Sequence, residues 1–251
     1  MIRAFLGDLK QLIQLDLNGC KGLKSLPHKI NLEALEIIDL GGCSRLKKFP
    51  KIMGNMSRLS ELCLSETIIK DLSLLLKHLT NLTKLDLREC KNLSSLPNAM
   101  CSLMSLKTLN LFGCSRLDKL PENLGNVEGL EVLNVSGIGI RGLPSSIILL
   151  KNIKNLSFSG CDFLLSKSSN KLLNFPLLQR SIDPMGMLMH TLSSLSSLRD
   201  LNLSYCNLRA VPDAIGCLSS LKFLNLSGNK FVSLPKNIIQ LSQLKSLNLS
   251  S

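Results

Sequence analysis

The chain has 251 residues and a formal net charge of +12, from 30 Lys and Arg against 18 Asp and Glu; it has no Trp and one Tyr. Leucine supplies most of the apolar residues, which argues against an ordinary globule and for many copies of one packing environment. No apolar run reaches the roughly 18–20 residues that cross a bilayer, and residues 1–8 lack the apolar stretch of a signal peptide, so the expectation is a chain that neither spans a membrane nor is exported.

The first unit places Leu9, Leu12, Leu15, Leu17, Cys20, Leu23, Leu26 and Pro27 in the pattern L-x-x-L-x-x-L-x-L-x-x-C-x-x-L-x-x-L-P. Its strand leucine recurs at Ile38, Leu62, Leu85, Leu109, Leu133 and Leu156, then at Leu201, Leu224 and Leu247. Successive copies lie 23 or 24 residues apart, except for one gap of 45. That period falls within the roughly 20–29 residues of leucine-rich repeats. The predicted fold is therefore an α/β solenoid: a leucine-rich-repeat horseshoe with a parallel concave β-sheet and a convex side of irregular or short helical segments.

Each L-x-L segment predicts a short strand with leucines inward and the alternating residues outward. The sharp turn after it calls for a buried polar side chain to satisfy backbone groups. Asn229 fits that slot, which is held elsewhere by Cys20, Cys43, Cys90, Cys114, Cys161 and Cys206, and by Thr67 in the third unit. The later prolines (Pro27, Pro50, Pro97, Pro121, Pro144, Pro212, Pro235) fix φ and suit an extended or turning return segment. In the third unit Ser73 stands in place of that proline.

Residues 1–161 read as about seven repeats starting partway through a unit, and 192–251 as about three, the last one truncated. Between them, 162–191 contains Pro176, Pro184 and the Met-rich run Met185, Met187, Met189. It is expected to be an irregular insertion, a protruding loop in preference to a degenerate repeat. Its methionines suit a contact surface or simple loop filling. Neither end carries the polar cap a solenoid needs, so a section of a longer protein is expected.

Six of the nine cysteines hold the turn slot and none forms a C-x-x-C pair, so structural thiols are expected rather than a disulfide or zinc site. Cys63 should face outward, and Cys101 and Cys217 lie on return segments. His28, His78 and His190 sit in unrelated phases of the repeat. No catalytic, cofactor-binding or metal site is expected. N-x-[ST] sequons at Asn134, Asn202, Asn225 and Asn248 fall on outward strand positions, where glycans would cover the concave face, which argues against export.

The outward columns hold five acids and two bases, leaving +15 elsewhere. A phosphate-tracking groove would hold the cations itself, so nucleic acid is not the expected partner and a protein is. The candidate concave contacts are Asp16, Asp39, Glu61, Lys84, Asp86, Arg88, Phe112, Asp200 and Phe223. The two phenylalanines either anchor a partner or cover neighbouring side chains. Lys107, Lys154, Arg199, Lys222 and Lys245 precede the strands at one shared position and form a candidate docking flank for an acidic partner.

The stretches LNGCKGLKSLP (17–27), LGGCSRLKKFP (40–50), LFGCSRLDKLP (111–121) and LSETIIKDL (64–72) carry a family likeness. So do LSFSGC (156–161), LSYCNL (203–208) and LNLSGNKFVSLP (224–235). They resemble the leucine-rich-repeat region of plant intracellular nucleotide-binding leucine-rich-repeat receptors, most closely the TIR-type subgroup. The resemblance implies recognition of pathogen effectors, autoinhibition of the parent receptor through its other domains, and a cytoplasmic or nuclear location. The family's G-x-x-x-x-G-K-[ST] phosphate loop and its TIR domain do not occur in these residues, so neither nucleotide nor NAD chemistry is expected of this chain. The alternative is a free-standing intracellular repeat scaffold for signalling proteins.

Overall fold

A computed structural model describes residues 6, 9–27, 29–30, 32–52, 56–140, 142–161 and 184–251; Lys29 and residues 184–187 are described for their backbone alone. Ten three-residue strands stack side by side: β1 (Gln14–Asp16), β3 (Ile37–Asp39), β5 (Glu61–Cys63), β6 (Lys84–Asp86), β7 (Thr108–Asn110), β8 (Val132–Asn134), β9 (Asn155–Ser157), β10 (Asp200–Asn202), β11 (Phe223–Asn225) and β12 (Ser246–Asn248). They form one open, all-parallel sheet in that order. The horseshoe expected from the repeat is the fold observed.

The register pairs each strand leucine with the next, Leu15 with Ile38 and so on to Leu224 with Leu247. These central residues are buried in every strand but the last. Because side chains alternate across a strand, aligning the leucines also aligns the two outward residues that flank them. The column two residues later is buried from Leu40 to Leu226; in it Phe158 is the largest fully buried side chain. Burying each leucine stabilises the fold by about 1.5–3 kcal/mol.

The return segments follow the prolines. Pro97, Pro144, Pro212 and Pro235 each lead into a 3-10 turn, at Asn98–Ser102, Ser145–Leu149, Asp213–Cys217 and Lys236–Gln240. Each proline sits in extended backbone with φ between −64° and −72°, and its carbonyl accepts the N–H of the residue three positions on, as in Met100 to Pro97 at 3.0 Å. In the first two repeats the prolines lead instead into β2 (Lys29–Ile30) and β4 (Lys51–Ile52), which pair in parallel on the convex side. Where Ser73 replaces proline, a short helix α1 (Ser73–Leu76) forms. The Asp71 carboxylate accepts the Ser73 N–H at 2.8 Å and its hydroxyl at 2.6 Å, which holds Asp71 below the usual carboxylate range.

The 45-residue gap does not interrupt the sheet: β9 pairs directly with β10, Leu156 against Leu201. Residues 162–183, with Pro176, lie outside the described residues. The rest of the expected irregular insertion is an α-helix, α2 (Pro184–Ser193). Leu188, Met189 and Leu192 are buried in the core, so α2 serves as this unit's return segment. For that portion the loop expectation is corrected: a 3.6-residue spacing of apolar side chains was present but was masked by the proline that opens the helix. Met189 packs inside rather than forming a contact surface.

Candidate protein-binding face

The turn slot comes first, because it positions the face. In five repeats the slot thiol donates to a carbonyl of the preceding unit: Cys43 to Leu17 at 3.2 Å, Cys90 to Leu64 at 3.1 Å, Cys114 to Leu87 at 3.0 Å, Cys161 to Val135 at 3.1 Å and Cys206 to Phe158 at 3.1 Å. Asn229 makes the same bond to Leu203 at 2.9 Å, and its Oδ1 also accepts the Cys206 and Leu208 N–H groups at 3.1 and 3.0 Å. Burial pushes the Cys43 and Cys90 thiols up and takes Cys114 to about 12, so at neutral pH they remain S–H donors. All nine cysteines are free thiols.

One residue before the slot, the chain takes a left-handed turn in every complete repeat. Glycine fills it at Gly19, Gly42, Gly113, Gly137, Gly160 and Gly228, with φ of 64–71°. Glu66, Glu89 and Tyr205 hold the same conformation at 55–59°, where a side chain is disfavoured by about 1–2 kcal/mol.

Most members of the middle outward column close the strand. Asp16, Asp39, Asp86, Asn110, Asn134, Asn202, Asn225 and Asn248 each accept, through a side-chain oxygen, the backbone N–H two residues on, at 2.8–3.2 Å. These are Asx turns. Cys63 and Ser157 are the exceptions: Cys63 Sγ lies 3.2 Å from Ser65 Oγ, and Ser157 shares a 2.7 Å hydroxyl pair with Ser136. The Asp or Asn that ends eight of the ten strands is the signal that reveals this.

The charges of the N-terminal half are partly neutralised within the face. Lys84 Nζ lies 3.1 Å from Glu61 across neighbouring strands, and Arg88 Nε lies 2.9 Å from Asp86. Asp86 is only 8% exposed, which corrects its expected place among the open contacts: Arg88 covers it. Asp39 accepts Asn18 Nδ2 at 3.1 Å, while Asp16 stands exposed. Asp200 accepts Asn155 Nδ2 at 3.4 Å, and burial pushes its carboxyl up. Phe112 and Phe223 are 42% and 45% exposed, on the columns either side of the middle one and far apart along the sheet.

The flank keeps the expected register through its backbone: the Lys107, Lys154, Arg199 and Lys222 carbonyls each accept two N–H groups from the next repeat. It is not continuous in charge. Glu131 occupies the shared position between Lys107 and Lys154, and Lys154 Nζ binds it at 2.6 Å. That contact holds Glu131 below the usual carboxylate range. Arg199, Lys222 and Lys245 have no acidic partner among the described residues.

Comparison with known proteins fits this geometry. Residues 31–119 match a family described as leucine-rich repeats of the RPS4B-like disease resistance protein, and residues 188–231 match a general leucine-rich-repeat family. The chain is 40% identical over 214 residues to TMV resistance protein N of Nicotiana glutinosa, which covers 84% of this chain and 17% of that protein. Over 210 residues it is 31% identical to a disease resistance protein of Arabidopsis thaliana, covering 83% of this chain and again 17% of the relative. Among solved structures, an internalin C2 of Listeria monocytogenes superposes with a TM-score of 0.54 at 22% identity, covering 78% of this chain and 73% of its own. An internalin F of the same organism gives 0.51 at 21% identity, covering 96% and 74%.

Fold and repeats together define a leucine-rich-repeat protein. More narrowly, the chain is a leucine-rich-repeat region of the kind found in plant disease-resistance proteins, spanning about a sixth of the length of the two relatives above. Among the described residues no helix is long and apolar enough to cross a membrane.

Proposed function

We propose that the concave face binds a protein, and that the parent protein uses it to recognise a pathogen effector and to stay inactive until it does. The reading is carried by one contrast. Nine of the ten aligned strands bury the same central residue in register, while the outward columns differ from unit to unit in charge, size and aromaticity. A uniform scaffold under a varied surface can change its ligand without changing its fold. Asp16, Asp39, Glu61, Lys84, Arg88, Phe112, Asp200 and Phe223 are the exposed or half-exposed candidates on that surface, with Asp86 acting through Arg88. The chain performs no catalysis and holds no cofactor on this reading. It acts in the cytoplasm or nucleus as part of a receptor of the TIR type.

The test is exchange of Asp39, Lys84, Phe112 and Phe223 within the parent protein, followed by a leaf cell-death assay against a panel of effectors. The expected outcome is altered effector response, or response without effector, at unchanged protein level. Unchanged response to every effector would overturn the reading. Coding sequence for a nucleotide-binding domain just upstream is the expected gene structure; its absence would leave the free-standing scaffold.

A further inference from the structure

The Asx turns fix which way each amide points. A backbone N–H can only donate, so the Asn134, Asn202, Asn225 and Asn248 side chains must turn Oδ1 inward toward Ser136, Ser204, Ser227 and Ser250. Their Nδ2 groups are left over as donors, with no partner among the described residues. The same turn in the N-terminal half uses Asp16 and Asp39; there the second side-chain atom is a carboxylate oxygen, which at Asp39 accepts Asn18 Nδ2 at 3.1 Å. One backbone device thus places acceptors at one end of the groove and amide donors at the other.

The donor row does not stand alone. Asn202, Asn225 and Asn248 each follow by three residues a cation without an acidic partner among the described residues, Arg199, Lys222 or Lys245. Each of these cations sits one residue before its strand, on the flank of the face, and neighbouring strands lie about 4.7–4.9 Å apart. A row of amide donors therefore runs along the solenoid beside a parallel row of positive charge. On strands β8 to β12 the outward columns contain a single acid, Asp200, which already accepts Asn155.

We infer that the C-terminal half of the concave face takes an acidic, extended segment of a partner protein, its acceptors against Asn202, Asn225 and Asn248 and its carboxylates against Arg199, Lys222 and Lys245. The inference rests on the concave face being a binding surface and adds the chemistry of what binds there. A single-stranded nucleic acid fits less well. It would use stacking rings beside the cations, and Phe223 is the only aromatic in the outward columns of these strands.

The experiment measures binding of fluorescent decamers of polyglutamate, polylysine and oligo-dT to the 251-residue chain by anisotropy. Polyglutamate is expected to bind, more weakly as salt is raised, and the other two to bind at least about tenfold less tightly. The variant Asn202→Asp/Asn225→Asp retains both turns, since Asp39 makes the same turn in this chain, and should lose about tenfold in polyglutamate affinity with an unchanged circular dichroism spectrum. Arg199→Gln/Lys222→Gln/Lys245→Gln should lose a similar factor. Removing the same charge elsewhere, by Lys21→Gln/Lys24→Gln/Lys48→Gln, should leave affinity within about twofold.

Equal loss in that control, no loss in the asparagine variant, or tighter binding of oligo-dT would each overturn the inference. Any of these alongside an altered effector response in the exchange experiment would remove only the acidic-ligand inference. No altered response there would remove the binding-face reading itself.

Discussion

The ring of Tyr205 lies over Gly228, the residue at the same left-handed turn position one repeat later, occupying the space where a Gly228 side chain would begin. Tyr205 accepts an unfavourable backbone at φ 55° and closes the next turn to anything but glycine. The pair couples two successive turns at the edge of the face.

Gly228→Ala should therefore destabilise the chain by about 1–2 kcal/mol from its φ of 64° alone, with more from displacing the ring. Adding Tyr205→Ala should recover the packing part and leave the backbone part. Gly22, with open space around its Cα and no positive φ, is the control: Gly22→Ala should stay within about 0.5 kcal/mol. Urea midpoints of the four proteins decide it.

Cys114→Ala removes the thiol donor to the Leu87 carbonyl in a fully buried site, leaving that carbonyl the Cys90 N–H at 3.2 Å. The expected cost is about 0.5–1.5 kcal/mol for the lost bond. Cys217, which is exposed, should tolerate alanine within about 0.5 kcal/mol. Equal urea midpoints for the two variants would show that the slot thiol adds nothing to stability.

Asn229→Cys installs the residue that its neighbours use, yet it should be harmful. The Cys206 and Leu208 N–H groups both depend on Asn229 Oδ1, and a thiol cannot accept both. A loss of about 1–3 kcal/mol is expected. Amide exchange at Cys206 and Leu208 should accelerate first.

Alkaline pH should weaken the fold. In the unfolded chain the Cys114 thiol ionises near 9, whereas in the fold it keeps its proton to about 12. Between those values the unfolded state binds fewer protons, so stability falls as pH rises, by about 1.4 kcal/mol per pH unit for this thiol. Cys43, Cys63, Cys90 and Cys101, also pushed up by burial, act in the same direction. Cys114→Ser should flatten the fall in Tm between pH 9 and 11 relative to the parent chain.

The register of the sheet was legible in the leucines, because a period-2 strand leaves no freedom once Leu15, Ile38 and their successors are aligned. The turn slot was legible too, since Cys114 and Asn229 recur at one phase. What escaped was anything that depends on a side chain meeting its own backbone. Asp86 has the same residue type and column as Asp16, yet one is buried beneath Arg88 and the other open. The helix at Pro184–Ser193 escaped for another reason: its proline marks a helix start as readily as a loop, and only the burial of Leu188, Met189 and Leu192 separates the two. Glu66, Glu89 and Tyr205 gave no warning of their left-handed turns, because the position is read as glycine only by comparison with its six glycine counterparts.

The Asx turn has one more consequence, for how such a surface changes over generations. The backbone at Asn202 or Asn225 asks only for an oxygen that can accept Ser204 or Ser227, and Asp and Asn meet that demand equally. Their codons differ by a single base. Point mutation can therefore reverse the local preference for ligand charge, one repeat at a time, at little cost to folding. At these sites, variation is filtered by what the face touches rather than by whether the protein holds together.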